Sequence, residues 1–294
     1  MNDPIAYIDR TRDYYLALGY DNPYVWAQFD EVPFSKLKQP LSECRLALVT
    51  TAAPYHPDQG EQGANAPYNS SAKFYDVYAM PIEGDPDVRI SHVAIDRDHT
   101  TAEDKNTYFP LEQLKRAAVE RRVGDISPNF YGLPTNRSQK TTAEKYCPDL
   151  LTLLQEDHVD AALLVPNCPV CHQSMSLAAR HLEENGIHTV IMGAAMDIVE
   201  HVGVPRFLFS DFPLGNAAGK PNDPDSQKTI LDLALNLLEN AESSRTTVTS
   251  PLRWSDTAEW KFDYSNPEKL TPEEIANARA GFDQAKAIAK NLRE

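Results

Sequence analysis

The sequence predicts an α/β fold: a doubly wound, mostly parallel sheet with helices on both faces, an extra N-terminal arm and a C-terminal helix. Three observations carry this. Short apolar runs at 45–50, 160–165, 187–192 and 206–209 have the length of buried strands. Stretches of helical character follow the later runs, at 168–184, 195–202 and 224–241. Turn formers separate the two kinds, and Asn185-Gly186 closes one helix before the next strand. Strands alternating with helices imply βαβ units and a parallel sheet covered on both sides.

The remaining elements follow in chain order. Residues 1–40 are rich in Tyr, Trp and Phe without a clean period. They read as an arm with one helix near 7–18, packed on the body or on a second subunit. After the strand at 45–50, a run of turn formers over 54–73 predicts a long loop, and long loops in compact domains are often functional. FYDVYAMPI allows a strand, and VRISHVAID at 88–96 is a stronger one. A helix is expected at about 110–122, with Gly124 past its end. DISPNFYGLP reads as extended and TTAEKYCPDLLTLLQEDH as mostly helical. Residues 248–270 look irregular. A helix over 272–293 closes the chain, with Thr271 as N-cap and Glu273-Glu274 in the first turn, where the helix dipole favours acids. The expected division is an arm at 1–40, an α/β domain at 41–245 and an extension at 246–294; two α/β lobes are the alternative.

Composition narrows the function. The chain has 294 residues, 41% of them apolar, and a net charge of −15. That is enough material for a large core. Excess acid repels phosphate backbones and there is no basic stripe, so nucleic-acid binding is not expected. No apolar run reaches 18 residues, which excludes a membrane helix. The opening residues carry Asp3 and Asp9 and no basic-then-apolar pattern, so no secretory signal is read and a cytoplasmic location is expected. Of four cysteines, Cys44 and Cys147 stand alone and read as packed side chains.

The other two fall in LLVPNCPVCHQS, at 163–174. Cys168 lies just past a predicted strand and opens a predicted helix. Ligands of parallel sheets sit beyond the carboxyl ends of the strands. Free N–H groups at a helix start favour a thiolate. Cys171 comes one turn later on the same side, so the pair can form a disulfide without moving the fold, one thiol attacking and the other resolving. This reading requires Cys168 to be reachable. C-x-x-C-H also spells a haem attachment site, but such sites belong to exported proteins. Zinc needs further ligands, for which His92, His99 or His201 are available in space. The letters CPVC also occur in glutaredoxin, but there they follow the first strand of a small domain. Two buried thiols without a role remain possible.

The segment VDAALLVPNCPVCHQSMSLAARHLEENGIHTVIMGAAMDIVEHVGVPRFLFSDFPLGNAAGKP resembles the selenoprotein B family of glycine, sarcosine, betaine and D-proline reductases. So do QPLSECRLALVTTAAPY, RISHVAIDRDHTTAEDKNTYFPLEQL and VGDISPNFYG, in the same order. The D-proline reductase branch, whose motif is selenocysteine, two residues, then Cys-His-Gln, is the most similar. The resemblance implies a reductase in which Cys168 stands where selenium stands, as nucleophile, with Cys171 resolving. It implies cleavage of a carbon–nitrogen or related carbon–heteroatom bond in a small amino-acid-like substrate. No bound cofactor is expected, only an external dithiol or thioredoxin-like electron donor. A partner subunit is also implied, since the D-proline enzyme relies on a separate pyruvoyl subunit, and a homo-oligomer, specifically a homodimer, is expected. Sulfur in place of selenium lowers attacking and leaving power. The alternatives are a metal protein using Cys168 and Cys171 as ligands and a non-catalytic redox subunit.

Further candidates cluster at the same predicted edge. His172 is expected to serve Cys168 as proton donor or thiolate partner. Asp211, Gly215 and Asn216 follow the strand at 206–209 and are expected to bind substrate. The 215–220 segment nearly spells a phosphate loop but is one residue short, with Pro221 where Ser or Thr is needed. His92 ends a predicted strand and is assigned to substrate binding. Gly193 offers a place where a ligand approaches the backbone. Asp197 is placed to cap the short helix behind it. No metal is assigned.

Overall fold

The structure is a computed structural model that describes residues 3–21, 24–56, 58, 74–90, 92 and 94–291. Its strands are β1 (Arg45–Thr50), β2 (Ala53–Pro54), β3 (Tyr78–Pro81), β4 (Val88–Arg89), β5 (Asp125–Ile126), β6 (Asn129–Gly132), β7 (Ala161–Val165), β8 (His188–Gly193), β9 (Arg206–Phe209) and β10 (Thr246–Thr249). The main sheet runs β10-β9-β8-β7-β1-β6-β3, with β5 also paired to β1. Its pairs are parallel except β3 with β6. The short β2 and β4 form a separate antiparallel pair. The chain therefore runs from β1 out to β3 at the sheet edge, returns through β6 beside β1, and then adds β7 to β10 on the other side. The reversal makes β1 and β7 the switch point of the sheet, the place where open α/β sheets commonly bind their ligands.

Strand residues alternate between two cores, because side chains project to opposite faces with a period of two. Leu46, Leu48, Ala161, Leu163, Val165, Val190, Met192 and Leu208 face one side. Ala47, Val49, Ala162, Leu164, Ile191, Phe207 and Phe209 face the other. Helices α2 (Leu111–Val119) and α7 (Pro224–Asn240) cover the first side through Leu114, Ala117, Ile230 and Leu235. Short α3 (Gln139–Thr141) runs through a π-helical turn into α4 (Cys147–Glu156), and α4 joins α5 (Pro169–Glu184) and α6 (Met196–Val202) on the second side. The doubly wound α/β architecture is as the sequence predicts. Among the described residues, no helix is long and apolar enough to cross a membrane.

The arm lies on the body of the same chain. Its helix, α1 (Tyr7–Ala17), packs on α6. Ala27 N–H donates to Gln173 at 2.7 Å, Arg180 donates to the Glu31 carbonyl at 2.8 Å, and Ser35 N–H donates to Glu183 at 2.9 Å. All three partners sit on α5, spaced seven and then three residues apart, so they share one face. The closing helix at Pro272–Asn291 starts with Thr271, whose hydroxyl accepts from Glu274 N–H while the Glu274 carboxylate accepts from Thr271 N–H, a reciprocal cap.

Several expectations are revised. Strand structure in the 88–96 stretch is limited to Val88–Arg89, and Ser91 and Val93 lie outside the described residues. Most of the expected 54–73 loop, at 57 and 59–73, also lies outside them. Gly124 does not stop a helix: α2 ends at Val119, and a Cβ on Gly124 would sit 2.7 Å from the Glu43 backbone. It is glycine because two backbones meet there. Thr246–Thr249, expected in the extension, is a sheet strand paired to β9. Asp197 lies in the first turn of its helix, whose N-cap is Ala195, and its carboxylate accepts from Ile8 N–H at 2.7 Å and ties the arm down.

Glu183 and Arg206 form a fully buried ion pair at 3.1 Å. Burial pushes the Glu183 carboxyl up, but the His188 imidazole 3.8 Å away, the Arg206 charge and the Ser35 N–H together hold it below its ordinary range. Losing one member strands the other charge in the core. Glu183→Ala is expected to cost about 3–5 kcal/mol in urea unfolding, and Glu183→Leu with Arg206→Met far less. Burial raises Asp197 to about 6 despite the Ile8 bond. Between about pH 4 and that value the native state binds the extra proton, so this contribution is full below about pH 4 and is lost as pH rises through the folded pKa. The difference in thermal midpoint between the parent and Asp197→Asn, measured across that range, is expected to shift against the parent with rising pH.

Candidate active site

The carboxyl ends of β1 and β7, at the switch point, carry the cysteine pair. β1 runs out into Thr51, whose hydroxyl accepts from Asn167 N–H at 3.1 Å, which ties the two strand ends together. β7 ends at Val165, and Cys168 is the N-cap of α5. Pro169 follows at the first helical position, where a missing N–H costs nothing. The Cys168 sulfur accepts from Cys171 N–H at 3.2 Å. Cys168 and Cys171 are joined as a disulfide, with Cα atoms 4.9 Å apart.

Both sulfurs are covered. Cys168 is 4% exposed and Cys171 is wholly buried, where the sequence reading requires a reachable thiol. The cover is not apolar. Thr135 Oγ1 lies 3.1 Å from Cys171 Sγ and 3.2 Å from His92 Nε2, so a polar chain runs from the imidazole to the sulfur. Ligand atoms of His92, Cys168 and Cys171 all lie within 4.8 Å of one another. Asn167, beside Cys168, is fully buried, and neither end of its carboxamide has a hydrogen-bond partner among the described residues. A buried unpaired amide costs free energy unless something else satisfies it.

His172 is placed differently from expectation. Its Nδ1 lies 2.8 Å from the Cys168 carbonyl, and its Nε2 accepts from the N–H groups of Ala194 and Ala195 at 2.9 and 3.2 Å. That pattern requires the tautomer with the proton on Nδ1. The ring is wholly buried, and burial lowers its pKa to about 4, so it is neutral at physiological pH. With both nitrogens committed to backbone, it holds no proton for Cys168. Gly193 makes room for this ring: a Cβ there would lie 2.9 Å from the imidazole. The close approach expected at Gly193 is filled by a side chain of the protein itself.

The 211–216 loop is likewise engaged internally. Asp211 pairs with Lys261. Gly215 adopts φ +102°, and its carbonyl accepts from Thr107 Oγ1 at 3.2 Å. Asn216 is fully buried, accepting from Thr100 and donating to the Pro213 carbonyl. His99 bridges Asp96 and Asp263 at 3.0 and 3.1 Å, remote in role from the sulfurs. Of the expected residues, the fold therefore gathers Cys168, Cys171 and His92. Sequence reasoning missed Thr135 and Asn167. Asn167 had a signal, an amide between a buried strand and a helix-capping cysteine. Thr135, 33 residues upstream of Cys168, had none.

Cys44 and Cys147 are buried as well, and desolvation pushes both thiols up, Cys147 to about 12. Neither is suited to ionise.

The family model of the glycine/sarcosine/betaine reductase selenoprotein B matches residues 17–167. The D-proline reductase subunit gamma of Acetoanaerobium sticklandii is 30% identical over 218 residues, covering 73% of this chain and 86% of that protein. The glycine reductase complex component B subunits gamma of Peptoclostridium acidaminophilum and Symbiobacterium thermophilum are 23% and 24% identical, covering 77% and 72% of this chain. This chain spans about half the length of those two, 52% and 49%. No solved structure matches it. On the family match and the similarity to the D-proline reductase subunit, the chain belongs to the glycine/sarcosine/betaine reductase selenoprotein B family.

Proposed function

We propose that this chain is the thiol-bearing subunit of a reductase that cleaves a carbon–nitrogen, or related carbon–heteroatom, bond in a small amino-acid-like substrate. The observation that supports this most directly is the cysteine pair at a helix start, at the sheet's switch point, under a polar cover. Relatives named as subunits of D-proline reductase and of a glycine reductase complex support a partner subunit.

The chemistry balances as follows. The Cys168 thiolate attacks the carbon bearing nitrogen, and the amine leaves with a proton. A carbon–sulfur bond now joins substrate to protein. Cys171 then attacks the Cys168 sulfur, and the carbon departs as a carbanion that takes a second proton. An adjacent carboxyl or carbonyl stabilises that carbanion, which restricts the substrate to α-amino-acid-like molecules. The protein ends as the Cys168–Cys171 disulfide, and an external dithiol returns it to the reduced state. Two electrons and two protons pass from the thiols to the substrate.

Each neighbour has a place in this scheme. The Cys171 N–H and the α5 dipole favour an anionic Cys168. Thr135, bonded to Cys171 on one side and His92 on the other, gives the resolving thiol a route for its proton. Asn167 supplies a paired donor and acceptor for the substrate's polar end. His172 is a positioning residue: it fixes the first turn of α5 against the β8–α6 connection. Water exclusion by burial protects the carbanion step.

Incubating Cys171→Ser with a dithiol and, in turn, D-proline, glycine, sarcosine or betaine is expected to trap a covalent adduct on Cys168, read by mass spectrometry. Cys168→Ser is expected to give neither adduct nor turnover. Turnover retained by Cys168→Ser would refute the reading. In the reduced protein, alkylation at Cys168 is expected to titrate below the ordinary thiol value of about 8.5. Asn167→Leu is expected to leave stability unchanged or raised, since an unpaired amide is removed, while KM rises by about tenfold or more. Unchanged KM would assign Asn167 to packing.

A further inference from the structure

The disulfide is one of two arrangements that this cluster of side chains can support. Three side chains of different chain regions converge here: His92 from the loop after β4, and Cys168 and Cys171 from the start of α5. Their nitrogen and sulfur atoms lie within 4.8 Å of one another. Among the described residues this is the one group of three His, Cys, Asp or Glu side chains so placed.

We propose that the reduced form of this cluster binds one soft divalent cation, zinc being the best fit, through the two sulfurs and the His92 imidazole. Thiolate and imidazole donors are the set that zinc prefers over magnesium or calcium. Zinc–sulfur bonds of about 2.3 Å and zinc–nitrogen bonds of about 2.0 Å place tetrahedral ligand atoms about 3.5 Å apart. The Cα atoms of the two cysteines are 4.9 Å apart, so parting the sulfurs needs side-chain rotation and not backbone movement. Three protein ligands leave the fourth position for water or a small solute. Thr135 Oγ1, 3.1 Å from Cys171 Sγ, is placed to donate to that sulfur as a thiolate, and Cys171 N–H is already aimed at Cys168 Sγ. Both contacts favour the deprotonated sulfurs that a metal requires.

Binding forms two metal–sulfur bonds and one metal–nitrogen bond, and releases one proton for each thiol that was protonated. Starting from the disulfide, two electrons from a dithiol must come first. The metal-bound and disulfide states therefore exclude each other, and a bound cation shields both sulfurs from oxidation. The inference does not require the pair to be catalytic.

The test uses the full chain, metal-stripped, reduced with a phosphine and kept anaerobic, with Co²⁺ as a spectroscopic stand-in. The expected result is one equivalent bound, with thiolate-to-cobalt charge-transfer bands and tetrahedral ligand-field bands that Zn²⁺ abolishes by displacement. The disulfide form is expected to show neither. His92→Ala is expected to weaken Co²⁺ binding by more than about tenfold, since even outer partners of a metal site are worth about that much. His92→Asp, which keeps a ligand atom, is expected to recover part of the loss, and Cys147→Ser to change nothing. Absence of the bands in the reduced protein, or affinity and spectrum unchanged in His92→Ala, would overturn the proposal. Those outcomes leave adduct formation on Cys168 untouched, so the two readings fail separately.

Discussion

His172 accepts two backbone hydrogen bonds on one ring nitrogen and faces the Cys168 carbonyl with the other, and this fixes how α5 leaves the sheet. The ring joins the helix that carries both cysteines to the strand end that neighbours it. Protonation would replace an acceptor by a donor facing two N–H groups, which is why burial and these contacts keep the imidazole neutral. The absence of a side chain at Gly193 is the matching half of the same contact. The position of the cysteine pair thus depends on a ring whose hydrogen bonds go to backbone groups and not to either sulfur.

The same helix explains how the N-terminal arm is held. Gln173, Arg180 and Glu183 are buried polar side chains on α5, and each bonds backbone of the arm. Aromatic residues of the arm complete the contact: Phe29 lies 4.0 Å from the Arg180 guanidinium and Phe34 lies 4.5 Å from that of Arg206. An ordinary surface helix would show polar residues to water. Here the polar side is covered by extended chain, whose unpaired backbone groups need partners, and the helix supplies them.

Much of the fold was legible. The strands at 45–50 and 206–209 fall where apolar runs of strand length predict them, and the helix at Pro169–Glu184 starts and stops at its signals, a capping cysteine before Pro169 and Asn185-Gly186 behind. The reciprocal cap at Thr271 and Glu274 was likewise local chemistry. Among the described residues of the 88–96 stretch only Val88–Arg89 is strand, since β-branched residues favour a strand only where a neighbour is available to pair. The short segment Thr246–Thr249 was missed for the converse reason: three threonines around Val248 make no apolar run, and pairing with β9 makes it a strand.

For the site, the sequence by itself determined that two thiols one helical turn apart stand at the end of a buried strand, since strand length, a helix-capping position and spacing are all local. Tertiary structure decided what surrounds them. His92 and Thr135 reach the sulfurs through contacts that spacing along the chain does not encode. His172 is adjacent in sequence and still turns away, because the better partners for its ring are backbone groups of the β8–α6 connection, 22 and 23 residues further on. Asp211, Gly215 and Asn216 lie at an edge of the same kind but are consumed by their own loop and by Lys261. Hydrogen-bond partners are chosen by proximity in the folded state, and only the closed packing of the sheet, the arm and the loops fixes that proximity.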